Sequence, residues 1–174
     1  MIHSKINLQT RIGVCIGLLL ISVITCACST NRFLGLNKKS VDDLMPIAWE
    51  TSHRRAIEEA SESDKIVMLW FTGSDWCKYC TLLEEEVFHT TTFNEWYADK
   101  IVPVMIDFPR QTDLPEQLAQ QNEELKNQYN ELVQSYPTVL FVDTDGNVLG
   151  KLGYMKGGPE YWIQQAEGML GLAW

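Results

Sequence analysis

Residues Ile66-Val67-Met68-Leu69-Trp70-Phe71 form an unbroken apolar run with no alternation. The run is too short for a free-standing helix and reads as a strand buried on both faces, in the middle of a sheet covered by helices. Upstream, residues 44–49 predict a short strand and residues 52–63 a helix, with Ala56 and Ala60 on one face, Ile57 beside them, and Thr51 or Ser52 as cap. Downstream, Leu82, Leu83, Val87 and Phe88 recur at helical spacing, while Glu84, Glu85 and Glu86 read as a solvated face. Residues 92–98 predict a further helical turn or two whose Phe93, Trp96 and Tyr97 belong to the core. Residues 101–106 are a second candidate for a central strand, against which Pro103 stands as an objection that would push it towards an edge or an irregular start. Residues 114–133 carry apolar side chains at 114, 118, 125, 129 and 132, the period of a long helix with a polar outer face. Residues 139–142 and 148–152, joined by a turn at 143–147, read as an antiparallel hairpin. Gly157-Gly158-Pro159 opens a closing helix to about 170, with Trp162, Ala166, Met169 and Leu170 facing inward. Strands alternating with helices argue an α/β fold.

The first residues follow a different rule. Lys5 and Arg11 precede an apolar stretch at 12–27, shorter than the ~20 residues a bilayer span needs, which matches a secretory signal. Its end, Val23-Ile24-Thr25-Cys26-Ala27-Cys28-Ser29, is similar to a bacterial lipobox, with Cys28 and Cys26 as the lipidation candidates. A lipoprotein is the favoured reading, followed by simple cleavage to a soluble protein and by an uncleaved anchor. Residues 29–43 are polar and aperiodic and read as a flexible linker, leaving 44–174 as one domain.

Composition adds two exclusions. With 45% hydrophobic and 21% charged residues in 174, the chain has material for a folded core and is not a disordered segment. Its net charge of −9 disfavours nucleic acid and anionic lipid as partners of the domain.

The candidate chemistry follows the buried strand. In Trp70-Phe71-Thr72-Gly73-Ser74-Asp75-Trp76-Cys77-Lys78-Tyr79-Cys80, a polar turn delivers Cys77 to the place where a helical pattern begins. Unpaired N–H groups and partial positive charge at a helix start stabilise a thiolate, and Lys78 adds a nearby cation. Side chains three apart share a helix face, so Cys77 and Cys80 can close a disulfide with little movement. Cys77 is the candidate nucleophile and Cys80 the resolving thiol. Zinc does not suit the pattern, because there is no second C-x-x-C and His53 and His89 stand far apart. Haem attachment would need a histidine where Thr81 stands. A purely structural bridge remains as an alternative, although so small a ring constrains little of the unfolded chain. Export would place the pair where disulfides form and exchange.

The segment 71–80, set after a buried strand, together with Tyr136-Pro137-Thr138 opening the hairpin, resembles the thioredoxin-like superfamily over residues 46–168. The Gly-Ser-Asp-Trp approach at 73–76, Asp107-Phe108-Pro109-Arg110 and Gly153-Tyr154 are most similar to exported bacterial disulfide reductases of the DsbH type. The resemblance implies a central mixed β-sheet flanked by helices and a cis Pro137 lying against the cysteine pair. It further implies that backbone groups of Tyr136 turn towards a client strand, so that Trp76, Tyr136, Pro137 and Thr138 form the substrate-binding set. Lys78 and Tyr79 stand where thioredoxins have Gly-Pro, and this dipeptide tunes the thiolate. Where thioredoxins bury an aspartate beneath the site, this chain has Met68 or Leu69, leaving Cys80 to be deprotonated by water or by another carboxylate.

The expected activity is thiol-disulfide exchange in the bacterial periplasm, running as a reductase, with no cofactor beyond the Cys77–Cys80 disulfide and no metal. Its partners are cysteine-containing exported proteins and a thiol electron donor, and the chain is read as a monomer. An oxidase or isomerase, or a redox-sensitive client-binding module, is the alternative.

Overall fold

The apolar run becomes β1 (Ile66–Thr72), buried in all but its first residue in the computed structural model, which describes residues 47–172. The signal segment, the linker and both lipidation candidates, Cys26 and Cys28, lie outside the described residues. Burial on two sides follows from the alternation of the strand. Val67, Leu69 and Phe71 pack with Ala56 and Ala60 of α1 (His53–Ser63) and Leu125 of α4 (Glu116–Gln128). Met68 and Trp70 face the opposite layer, with Leu83 of α2 (Lys78–Leu83), Phe93 and Trp96 of α3 (Thr91–Tyr97), and Trp162 of α5 (Gly158–Leu170). Each large apolar side chain so buried stabilises the fold by about 1.5–3 kcal/mol.

The four-stranded sheet has the order β2 (Ile101–Asp107), β1, β3 (Thr138–Val142), β4 (Val148–Leu152). β2 runs parallel to β1, whereas β3 is antiparallel to both β1 and β4. This is the mixed sheet flanked by helices that the sequence predicts. The register pairs Thr72 with Asp107 and Phe71 with Thr138, so the C-terminal ends of β1 and β2 adjoin the start of β3. A β-bulge between Phe141 and Val142 lies at the other end of β3. There the Asp143 carboxylate accepts from the N–H groups of Asp145 and Asn147, and Gly146 (φ +82°) completes the hairpin turn.

Four expectations change in detail. In place of a strand at 44–49, the described part makes a single bridge, Glu50 to Val104, on the outer side of β2. The Glu50 carboxylate accepts from Thr51 and Ser52 N–H and turns the chain into the Ser52 cap of α1, which ends the extension. β2 is one of the two edge strands of the four instead of a central one, the position that Pro103, with no N–H to give, favours. The helix at 114–133 spans only 116–128: Tyr129 leaves helical geometry (φ −107°, ψ 27°), and tight turns carry the chain on to Val133. Tyr129 and Val133 are still buried on the α4 side, which is why the helical period outruns the helix. Met169 of α5 is 38% exposed instead of inward-facing, because it lies over Gly150 of β4.

After the cysteines the helix widens. Residues Glu84–Phe88 form a π-helical turn, closed by His89 N–H bonding the Glu84 carbonyl. Glu84 faces His89 at 3.4 Å and Glu86 accepts a hydrogen bond from Tyr154, while Glu85 is exposed, so two members of the expected solvated face also hold side-chain partners.

Candidate active site at the sheet's edge

The turn after β1 is held by its own backbone and by the end of β2. The Gly73 carbonyl accepts from Trp76 and Cys77 N–H at 3.2 and 2.8 Å. Glycine is required there, since a Cβ would stand 2.3 Å from the Trp76 indole. Asp107 receives Ser74 twice, from its N–H at 2.8 Å and from its hydroxyl at 2.6 Å. The Asp75 carboxylate accepts from Arg110 and Gln111 N–H at 2.7–3.0 Å. Those bonds, the Arg110 N–H first, hold the Asp75 carboxyl below its ordinary value. The Trp76 indole N–H donates to the Phe108 carbonyl at 2.7 Å. Ser74, Asp75 and Trp76 are therefore each tied to segment 107–111.

Cys77 is the N-cap of α2, in extended geometry (φ −92°, ψ 98°), and its Sγ accepts from Cys80 N–H at 3.2 Å. Cys77 and Cys80 are joined as a disulfide with Cα atoms 5.2 Å apart. Cys77 is 7% exposed and Cys80 2%, so an incoming sulfur reaches Cys77 first.

Two aromatic walls flank the pair. On one side the Tyr136 ring meets Trp76 edge-on at 5.5 Å and Phe108 at 5.7 Å. On the other, Tyr79, 57% exposed, lies 5.8 Å from Tyr154. The Tyr154 hydroxyl donates to Glu86 at 2.9 Å, and this bond to a carboxylate raises the phenol above its ordinary value. The Tyr136–Pro137 peptide bond is cis. A Cβ on Gly153 would lie 3.2 Å from the Pro137 carbonyl, so the start of the β4–α5 connection is pressed against the proline.

The candidate residues thus gather at one end of the sheet, with two qualifications. Thr138 is 1% exposed and donates its hydroxyl to the Ser135 carbonyl at 2.7 Å, which leaves that group no freedom to meet a substrate. Lys78 is exposed on the first turn of α2. Met68, not Leu69, faces the cysteine layer. Among the described residues the one buried carboxylate is Glu167, whose Oε1 is taken by the Trp96 indole N–H. No buried acid therefore sits beneath the pair.

Sequence reasoning assigned no role to Ser74, Asp75, Asp107, Glu86 or Arg110. The available signal was polarity placed where two strands buried on both faces give out, at 73–75 and 107–110. Arg110 lays its guanidinium 3.8 Å from the centroid of the Trp76 ring. It lines a groove of about 420 Å³ bounded also by Trp76, Phe108, Leu114, Lys126 and Tyr136.

Comparison with known proteins gives concordant results. The thioredoxin-like domain family matches residues 54–165. The disulfide bond reductase DsbH of Chlamydia pneumoniae is 32% identical over 162 residues, 90% of this chain and 93% of that protein. A solved structure of a DsbH oxidoreductase matches with a TM-score of 0.70 at 31% identity, over 74% of this chain and 88% of that one. A thioredoxin from Thermus thermophilus, 19% identical, shares the fold with a TM-score of 0.54 over 71% of this chain and 87% of its own.

Proposed function

The chain belongs to the thioredoxin-like family, and on that premise we propose that it is a thiol-disulfide oxidoreductase that reduces disulfides of exported proteins. In the reduced protein the Cys77 thiolate, facing the N–H groups at the start of α2, attacks one sulfur of a client disulfide. That client bond breaks, one client thiolate leaves, and a Cys77–client mixed disulfide forms. Cys80, having lost its proton to water, attacks Cys77 Sγ and releases the second client thiolate. The client gains two electrons, the protein is left with the Cys77–Cys80 disulfide, and an external thiol donor restores the dithiol. Lys78 and Tyr79 tune the thiolate, while Trp76 and the backbone at Tyr136 and Pro137 hold the client strand.

The observation that carries this reading is the Cys77 sulfur at the helix start, accepting the Cys80 N–H and bonded to the less accessible Cys80. The relative named disulfide bond reductase supports the direction. It also supports a periplasmic location, to which the lipobox-like Cys26 and Cys28 add a lipid anchor. The test is catalytic reduction of insulin with dithiothreitol. Turnover should vanish in Cys77→Ser, and Cys80→Ser should accumulate clients on Cys77 as mixed disulfides. Stoichiometric capture without turnover would favour the client-binding module. A potential near −120 mV in equilibrium with glutathione would favour an oxidase.

A further inference from the structure

Arg110 stands against the residue that precedes the nucleophile in the chain. Its guanidinium lies on the indole of Trp76, the residue before Cys77. Its backbone is fixed independently, because Arg110 N–H donates to both Asp75 oxygens at 2.9 and 3.0 Å. The group is thus held at two points, neither of which uses its side-chain donors. A guanidinium stacked by its face keeps its in-plane N–H fork free, and that fork matches the two oxygens of a carboxylate.

All but one of the groove's other charges have partners. Lys126 lies 3.7 Å from Glu123 and 4.9 Å over the Phe108 ring. Asp107 is bonded to Ser74, and both Asp75 oxygens are bonded to backbone N–H groups. Asp113 opposes an incoming anion, but it is exposed at the rim, where solvent and salt screen it. Arg110 enters none of the ion pairs among the described residues. A chain of net charge −9 repels acidic surfaces in general, so one cation outside any ion pair, stacked on the residue before Cys77, selects at short range only.

We propose that Arg110 is a specificity residue which favours client disulfides flanked by a carboxylate, binding that carboxylate at the mouth of the groove between Trp76, Phe108 and Tyr136. The proposal rests on the reductase reading and names the client chemistry this site prefers. An ion pair made by this exposed guanidinium corresponds to a preference of up to about fivefold.

The experiment uses the full-length reduced protein and three peptide disulfides identical except for Glu, Gln or Lys beside the cysteine. Wild type should reduce the Glu peptide with kcat/KM up to about fivefold above the Gln peptide, with the Lys peptide slowest, and added salt should narrow the spread. In Arg110→Gln the three rates should converge, the Glu-peptide rate falling and the Lys-peptide rate rising relative to the Gln-peptide rate. Arg110→Lys, which keeps charge but loses the planar fork, should retain part of the preference. Equal loss on all three peptides in Arg110→Gln would overturn the proposal, since Arg110 would then act through the Cys77 thiolate or through Trp76 packing. Equal rates in wild type would overturn it as well. If wild type turned over none of them, the reductase reading itself would fall, a result distinct from turnover without preference.

Discussion

Replacing Gly73 by alanine tests the construction of the site with a single methyl group. Its φ is not in the left-handed region, so alanine loses nothing on backbone grounds and should stabilise by about 0.4–1 kcal/mol through the unfolded state. Against this, the new Cβ would stand 2.3 Å from Trp76 Cε2, and the ring cannot yield while it keeps its present bonds. Displacing it sacrifices the hydrogen bond to Phe108, worth about 0.5–1.5 kcal/mol. It also sacrifices the Arg110 stack, about 0.5–1, and the Tyr136 edge contact, about 0.5–1.5. The net expectation is destabilisation of about 1–3 kcal/mol. Urea unfolding of the oxidised protein followed by far-ultraviolet circular dichroism measures it. A double-mutant cycle assigns the cause: in Trp76→Ala the same Gly73→Ala change should be neutral or slightly stabilising. An equal loss in both backgrounds would refute the reasoning, because the clash would then lie with something other than the indole.

Two further outcomes follow from the ionisable groups. Asp75 titrates below its ordinary value of 3.8 in the folded chain, so its stabilisation of segment 107–111 is complete above that value. It is lost as pH falls through the lower folded value. Amide resonances of Arg110 and Gln111 should shift with a midpoint below 3.8 and cease to titrate in Asp75→Ala; a midpoint at or above 3.8 would contradict the hydrogen bonding described. Glu86→Gln should lower the Tyr154 phenol towards its ordinary value of 10.0, read by ultraviolet absorbance at alkaline pH, and an unchanged titration would show that the bond to Glu86 does not form in solution.

The site's sulfur chemistry was legible because it is local. A strand buried on both faces, a two-residue gap between cysteines and an X-Pro before a strand are each written in a few adjacent letters, and the physics of helix starts supplies the rest. What could not be read was what the parallel pairing of β1 and β2 creates. Asp75 and Arg110 are 35 positions apart and meet only because those strands end side by side. The overrun of the long helix has another origin: Tyr129 and Val133 remain buried after the helix stops, so apolar period and helical backbone part company. Of the strand expected at 44–49, the described residues 47–49 form none, and past the bridge at Glu50 its carboxylate takes the backbone N–H groups of the next two residues. Met169 deceived for a simpler reason, as Gly150 gives it a shelf outside the core.

The bulge at Phe141/Val142 lies beside the hairpin turn, at the far end of β3 from Pro137. Slack in the length of that hairpin is consequently taken up where no chemistry occurs. Slippage of β3 by a single position at its other end would reverse the facing of Val139 and Phe141 and carry Tyr136 away from Trp76. The sheet therefore acts as a ruler clamped at the reactive end and free at the other, and the spacing between sulfur and proline is insulated from changes in the tip at 143–147.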